Sequence, residues 1–282
     1  MWPNGCQTIN ITRDGITTGI SLCVVGATGR FGRSIISQTD PEIRISGAVC
    51  SDLNPLVGKK LREAGIHESD TVINGASKIE VATADSDVVL FVSKPDADMD
   101  NVPKVAALQK RIVIGTTGFT ANQTERLNSL LTSVPSIVAS NFSVGANILF
   151  QIAKMVSRFS NLYDYSVVEE HHKRKIDAPS GTAKTIVQLL NSQSAFPVTV
   201  TDRSVKPRRM VGEIEMVSLR GGGTPGIHQL IMAGENDMIR IEHLAFSRAA
   251  GASGAVIACK WIARKQQPGV YSMQDVLGLG GI

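Results

Sequence analysis

Aromatic residues make up only 5% of this 282-residue chain, and its formal net charge is only +4. A protein that grips nucleic acid needs stacking platforms and a broad basic face, so nucleic acid is not expected as a partner. Cysteine is scarce too: Cys6, Cys23, Cys50 and Cys259 are scattered, with no Cys-x-x-Cys pair. That excludes a disulfide scaffold and fits free thiols in a reducing cytoplasm. No apolar run approaches the ~20 residues that span a bilayer. Residues 1–19, MWPNGCQTINITRDGITTG, have neither the basic leader nor the apolar centre of a secretory signal and read as an N-terminal extension. No internal repeat or low-complexity tract stands out. What remains is a chain of 43% hydrophobic residues, longer than the usual single domain, for which two domains are expected.

The densest chemistry lies between Val168 and Ala183, VEEHHKRKIDAPSGTA. A buried helix or strand would not carry His171, His172, Lys173, Arg174 and Lys175 in a row, because unpaired buried charge costs several kcal/mol. An anionic ligand is expected here. Asp177, Pro179, Ser180 and Thr182 are helix-start residues, and Ala183 to Leu190 reads as the helix that they open. A helix start offers free N–H groups and a positive dipole end to a carboxylate or phosphate. His171 and Lys175 could supply protons there, the imidazole because it titrates near neutrality and the lysine because neighbouring cations push its pKa down. A solvated basic loop is the plainer alternative. Zinc is a third, through the histidines and Glu169 or Glu170, but there is no H-E-x-x-H, and no metal is expected.

Residues Ile20 to Gly32, ISLCVVGATGRFG, run from an apolar strand into Gly26, Gly29 and Gly32 and then a helix over Arg30 to Thr39. Glycines so spaced allow a tight turn and the close approach of a pyrophosphate to the helix N-terminus, as in a dinucleotide-binding fold. Further strands are predicted over Ile43 to Val49, Asp87 to Val92, Arg111 to Gly115 and Ser136 to Ala139, with helices over Ala97 to Lys110 and Asn122 to Leu131. Such alternation implies a Rossmann-like, doubly wound parallel sheet with ligand at the strand C-terminal ends. Candidate cofactor residues recur there: Ser93 and Lys94, Gly115 to Gly118, and Ala139 to Phe142. Ordinary turn chemistry is the alternative for the last two.

After Asn141 the pattern changes. A helix is predicted over Ala146 to Phe159, then a strand over Tyr163 to Glu170 that delivers the two histidines. Strands over Glu213 to Leu219, Gly226 to Met232 and Met238 to Ala245 follow, separated by Gly-rich turns. They suggest a second, α+β domain with an open mixed sheet, whose exposed face suits a subunit interface. A helix over Ser247 to Arg264, rich in Ala and Gly, and a last one over Met273 to Leu279 are expected to return to the first sheet. The division is then 20–142 and 247–282 for the dinucleotide, 143–246 for substrate binding and oligomerisation.

Four stretches, GATGRFGR, IVIGTTGF, ASNFSVGAN and EEHHKRKIDAPSGTA, stand in the order and at the separations of the dihydrodipicolinate reductase family, which the chain resembles over about residues 20 to 282. The resemblance implies NADH- or NADPH-dependent reduction of a cyclic dicarboxylate on the diaminopimelate route to lysine, in a cytoplasmic homotetramer. It implies that His171 is a proton donor or acceptor and Lys175 a proton donor. His172, Ser180, Gly181 and Thr182 would hold the substrate. Gly26, Ala27, Thr28, Gly29, Arg30 and Phe31, Gly115, Thr116 and Thr117, and Ala139, Ser140, Asn141 and Phe142 would hold the cofactor. Where the family carries an acid, often followed by Arg, this chain has Ser51 and Asp52. Asp52, twenty residues past Gly32, suits the ribose of NADH. Ser51 with Lys59 and Lys60 suits the 2′-phosphate of NADPH, and use of both is expected. A different two-domain amino-acid dehydrogenase, or a nucleotide sensor without turnover, are the competing classes.

Overall fold

The computed structural model describes residues 19–193, 198–200, 204, 208–210 and 212–280. Cys6 and almost all of the N-terminal extension lie outside them. In chain order the elements are β1 (Ile20–Val25), α1 (Arg30–Ser37), β2 (Ile43–Cys50), β3 (Ile73–Gly75), α2 (Ile79–Thr83), β4 (Val88–Phe91), α3 (Pro95–Ala107), β5 (Arg111–Ile114), α4 (Ala121–Leu131) and β6 (Pro135–Val138). Then come α5 (Val144–Val156), β7 (Asp164–His171), α6 (Gly181–Leu190), β8 (Val198–Val200), β9 (Glu213–Arg220), β10 (Ile227–Ala233), β11 (Met238–Leu244), α7 (Ala249–Ala263), β12 (Gly269–Tyr271) and α8 (Met273–Val276).

The first sheet is wholly parallel, in the order β12-β6-β5-β4-β1-β2-β3. Its strands are continuous apolar runs because both faces are covered. Alternation along β1 sends Leu22 and Val24 to the side of α1 and α7, and Cys23 and Val25 to the side of α2, α3 and α4. The order reverses between β1 and β4, which places a ligand crevice at the C-terminal ends of these two strands. Edge strands β3 and β12, three residues each, and the five-residue α2 were not foreseen. Elements so short carry no readable period.

The second sheet is mixed, in the order β11-β10-β7-β9-β8. β7 lies between β9, to which it is parallel, and β10, to which it is antiparallel. So β9 and β10, though joined by a Gly-rich turn, do not pair with each other; the strand bearing the two histidines separates them. Helices α5 and α6 cover one face. In α6 the buried residues Ala183, Ile186, Val187 and Leu190 follow i, i+3, i+4, i+7 and meet Val167, Ile214 and Leu230. Truncating Ile186 or Leu190 to alanine would cost about 2–5 kcal/mol.

Candidate active site

Strand period fixes the centre of the site. On β7, Tyr165, Val167, Glu169 and His171 point to the helix-covered face, and Glu169 is fully buried. Register sets Ser218 of β9 and His228 of β10 beside Glu169, and Arg220 beside His171. Arg220 clasps the Glu169 carboxylate at 2.8 and 3.0 Å, and His171 Nδ1 lies 2.5 Å from it. Burial raises the Glu169 pKa, but Arg220, Ser218 and His171 outweigh this and hold it at about 2. His171 is itself lowered, chiefly by burial and further by Lys175 and Arg220, with Glu169 acting in the opposite sense.

The turn after β7 supplies the second group of residues. Ser180 caps α6 by accepting from Ala183 N at 3.2 Å, and its own N–H reaches Glu169. Its hydroxyl also meets His228 Nε2 at 3.2 Å. Burial and the neighbouring histidines push His228 down to about 3, so it is neutral. Lys175 Nζ is not among unpaired cations, as the sequence suggested: Asp177 grips it through both oxygens at 2.8 Å. His172 Nδ1 is buried without a partner. Among the described residues no group of three or more His, Cys, Asp or Glu side chains is gathered as a metal requires.

At the C-terminal edge of the first sheet, Gly26 takes φ +94°, and its N–H and that of Ala27 bond to Val49 O. A Cβ on Gly32 would stand 2.2 Å from Gly26 O, so only glycine lets α1 come this close. Thr28 is held through its carbonyl by Arg33 and through its hydroxyl by Asn54. Gly29 caps α1 with no side-chain acceptor, and the first turn carries no acid. The free N–H groups and dipole end therefore form a cradle that fits a pyrophosphate. Ser51 is exposed at the end of β2, and Asp52 accepts from Ser77 N and Oγ. Lys60 pairs with Asp70 at 3.4 Å. Thr116 is buried and accepts from Ser93 N; Thr117 is exposed, and Ala139 N bonds to Ile114 O.

One cleft of about 210 Å³ joins the two groups. Phe31, Gly115, Ser140, Asn141 and Phe142 from the first sheet face His171 and Thr182 from the second, with His228, His243 and Arg248 completing the wall. Asn141 Nδ2 donates to Thr182 Oγ1 at 3.0 Å across it. Arg30 instead borders an adjoining groove with Arg33 and Arg248, while Lys175, His172, Ser180 and Gly181 stand outside the cleft lining. Sequence reading missed Arg220, His228, His243 and Arg248, each isolated from the motifs. Glu169 was read only as a possible zinc ligand, although its place two residues from His171 on a strand puts both on one face.

A glycine-cradled strand edge suited to a nucleotide, facing His171 and Thr182 across one cleft, is the arrangement of a nicotinamide-dependent oxidoreductase. Models of the dihydrodipicolinate reductase N-terminus and C-terminus match residues 20–142 and 145–277. The chain belongs to the dihydrodipicolinate reductase family. It is 34% identical over 267 residues to 4-hydroxy-tetrahydrodipicolinate reductase of Methanopyrus kandleri, covering 92% of this chain and 96% of that one. With the namesake of Nitrosospira multiformis it shares 32% over 267 residues, covering 92% and 98%. In fold it is similar to dipicolinate-bound dihydrodipicolinate reductase from Paenisporosarcina sp. TG-14, with a TM-score of 0.70, 21% identity, and coverage of 91% and 98%.

Proposed function

We propose that the chain reduces 4-hydroxy-tetrahydrodipicolinate to tetrahydrodipicolinate on the diaminopimelate route to lysine, using NADH or NADPH. The observation that carries the reading is the cleft in which His171 and Thr182 face the strand ends suited to a nucleotide. A bound reduced nicotinamide supplies a hydride to the substrate ring. In balance, substrate, hydride and one proton give product and water. The chain's own residues bind, orient and protonate. His171 Nε2 and Lys175 Nζ are the proton-transferring atoms. Ser180, Gly181 and Thr182, at the open start of α6, hold one substrate carboxylate, and His172 the other end of the ring.

For the cofactor, Gly26 to Phe31 hold the pyrophosphate, and Asp52 the adenosine ribose. Gly115 to Thr117 and Ala139 to Phe142 line the nicotinamide end. This corresponds to residues 20–142 and 247–282 as the nucleotide domain and 143–246 as the substrate domain. α7 supports the division because it packs in the core of the first sheet. The uncovered face of the second sheet carries Val168, Val217, Leu219, Ile227, Ile231 and Leu244 interleaved with Glu170, Glu215, Arg240 and Glu242, a mixed apolar and charged face suited to pairing with further copies in a homotetramer. Cys23 and Cys259 are buried free thiols pushed by burial to about 12, in keeping with a reducing cytoplasm. No helix among the described residues is long and apolar enough to cross a membrane.

The test is a coupled assay: pyruvate and aspartate semialdehyde are joined by a dihydrodipicolinate synthase, and oxidation of NADH and of NADPH is followed separately. Rapid oxidation is expected with both. A folded protein that binds nucleotide but oxidises neither would overturn the reading in favour of a sensor or another dehydrogenase.

A further inference from the structure

We propose that Glu169 is a positioning residue for proton transfer, fixing His171 as the Nδ1–H tautomer and leaving Nε2 to gain and lose the proton. The inference rests on the assignment of His171 made above. Four N–H groups converge on this one buried carboxylate. His171 Nδ1 at 2.5 Å and Arg220 Nη1 at 3.0 Å meet Oε2; Arg220 Nη2 at 2.8 Å and Ser180 N at 3.2 Å meet Oε1. An ionised carboxylate only accepts, and a guanidinium that stays protonated holds it ionised. Nδ1 must therefore carry the hydrogen.

The other ring nitrogen points the right way. A Cβ on Gly226 would lie 3.2 Å from His171 Nε2, and both residues line the cleft. The absence of a side chain there leaves Nε2 open to a substrate. Arg220 extends the same support outward, since its Nη2 also donates to Asp177 O at 2.6 Å, and Asp177 holds Lys175. One carboxylate thus ties together the proton-transferring histidine, the lysine loop and the start of α6. The charged and titratable groups facing His171 are Glu169 on its own strand, Arg220 on β9, His228 on β10 and Lys175 on the following turn. Of these only Glu169 accepts a hydrogen bond from the ring and raises its basicity.

Glu169→Gln tests this in the full chain. An amide cannot satisfy four donors: an NH2 in place of Oε1 would oppose two obligatory donors, Arg220 Nη2 and Ser180 N, whereas in place of Oε2 it opposes only Arg220 Nη1 and makes His171 Nδ1 the acceptor, so the second arrangement is favoured and selects the wrong tautomer. Histidine 15N spectra of the wild type, assigned by the signal lost in His171→Asn, are expected to show Nδ1–H alone. In Glu169→Gln this tautomer is lost, kcat falls by about 100-fold, and KM and nucleotide affinity stay within about twofold. The limb of the kcat–pH profile that reports His171 moves to lower pH, as the group raising its pKa is gone. Should Glu169→Gln fail to fold, Glu169→Gln/Arg220→Met removes both charges together and is read in the same way. A folded variant that keeps the Nδ1–H tautomer, or keeps kcat within about twofold, overturns the proposal. Full turnover in His171→Asn would instead sink the assignment of His171, while the spectra still decide what Glu169 does to its ring.

Discussion

Asn141 and Thr182, 41 positions apart in the chain, are joined by a 3.0 Å hydrogen bond from Nδ2 to Oγ1 that crosses from the strand ends of the first sheet to the helix start beneath the second. Asn141 is held in turn, its Oδ1 accepting from Ser143 N at 2.8 Å and its carbonyl from Asn147. The two walls of the cleft are therefore tied at the point where a substrate would lie.

Thr182→Val keeps the shape and removes the acceptor. Losing a partly buried hydrogen bond of this kind costs about 1 kcal/mol, so substrate KM should rise roughly 5- to 10-fold, with nucleotide affinity unchanged. Steady-state kinetics and a nucleotide titration check it. A matching fall in nucleotide affinity would show that the bond orders the cofactor wall instead.

Lys175→Gln removes the ammonium but keeps much of the stem. In its proposed role of proton donor, its loss should lower kcat by about 100-fold or more while NADH and NADPH bind as before. A change confined to KM would make Lys175 a carboxylate anchor only. Because Asp177 holds Nζ in the structure, Asp177→Asn should show a smaller fall in kcat, of roughly 10-fold.

Asp52 puts a negative charge, lowered in pKa by the Ser77 hydroxyl and N–H, at the end of β2. Such a charge opposes a 2′-phosphate. Asp52→Ser should shift the ratio of kcat/KM values toward NADPH by about 10-fold, about 1.4 kcal/mol of discrimination. An unchanged ratio would place the adenosine away from this strand end.

His228 is neutral in the fold, with its pKa pushed from 6.5 to about 3, chiefly by burial. The unfolded chain binds a proton below pH 6.5 that the folded chain refuses until about pH 3. Stability should therefore fall as pH drops through that window. Thermal melts of His228→Gln, whose amide oxygen can still accept from Ser180, should show a shallower decline between pH 6.5 and 4 than the wild type. Parallel declines would mean that other groups, such as His243, dominate.

Much of this was legible because local rules and tertiary structure agree. The apolar run into Gly26, Gly29 and Gly32 dictates strand, turn and helix, and the alternation that follows dictates a parallel sheet. Ser180 was readable as a helix start from its own chemistry. The rest depends on pairing across distance. Arg220 and His228 enter the site only because β9 and β10 both flank β7, an order that no local signal encodes. The grip of Asp177 on Lys175 depends on a loop conformation that Arg220 holds from 43 residues away.

Gly254 of α7 stands so close to Phe142 that a Cβ would lie 1.9 Å from its carbonyl oxygen, and Gly251 lies against Phe31. A helix near the end of the chain thus builds the back wall of a cleft whose other walls are encoded long before it. On a ribosome, synthesis of the glycine cradle and of both histidines would precede this helix, leaving a half-open slot with one face of the first sheet covered by α1 alone. Competence to hold the nucleotide should arrive abruptly, when residues 249–263 emerge and dock. Nascent chains arrested before that point should show no nucleotide protection.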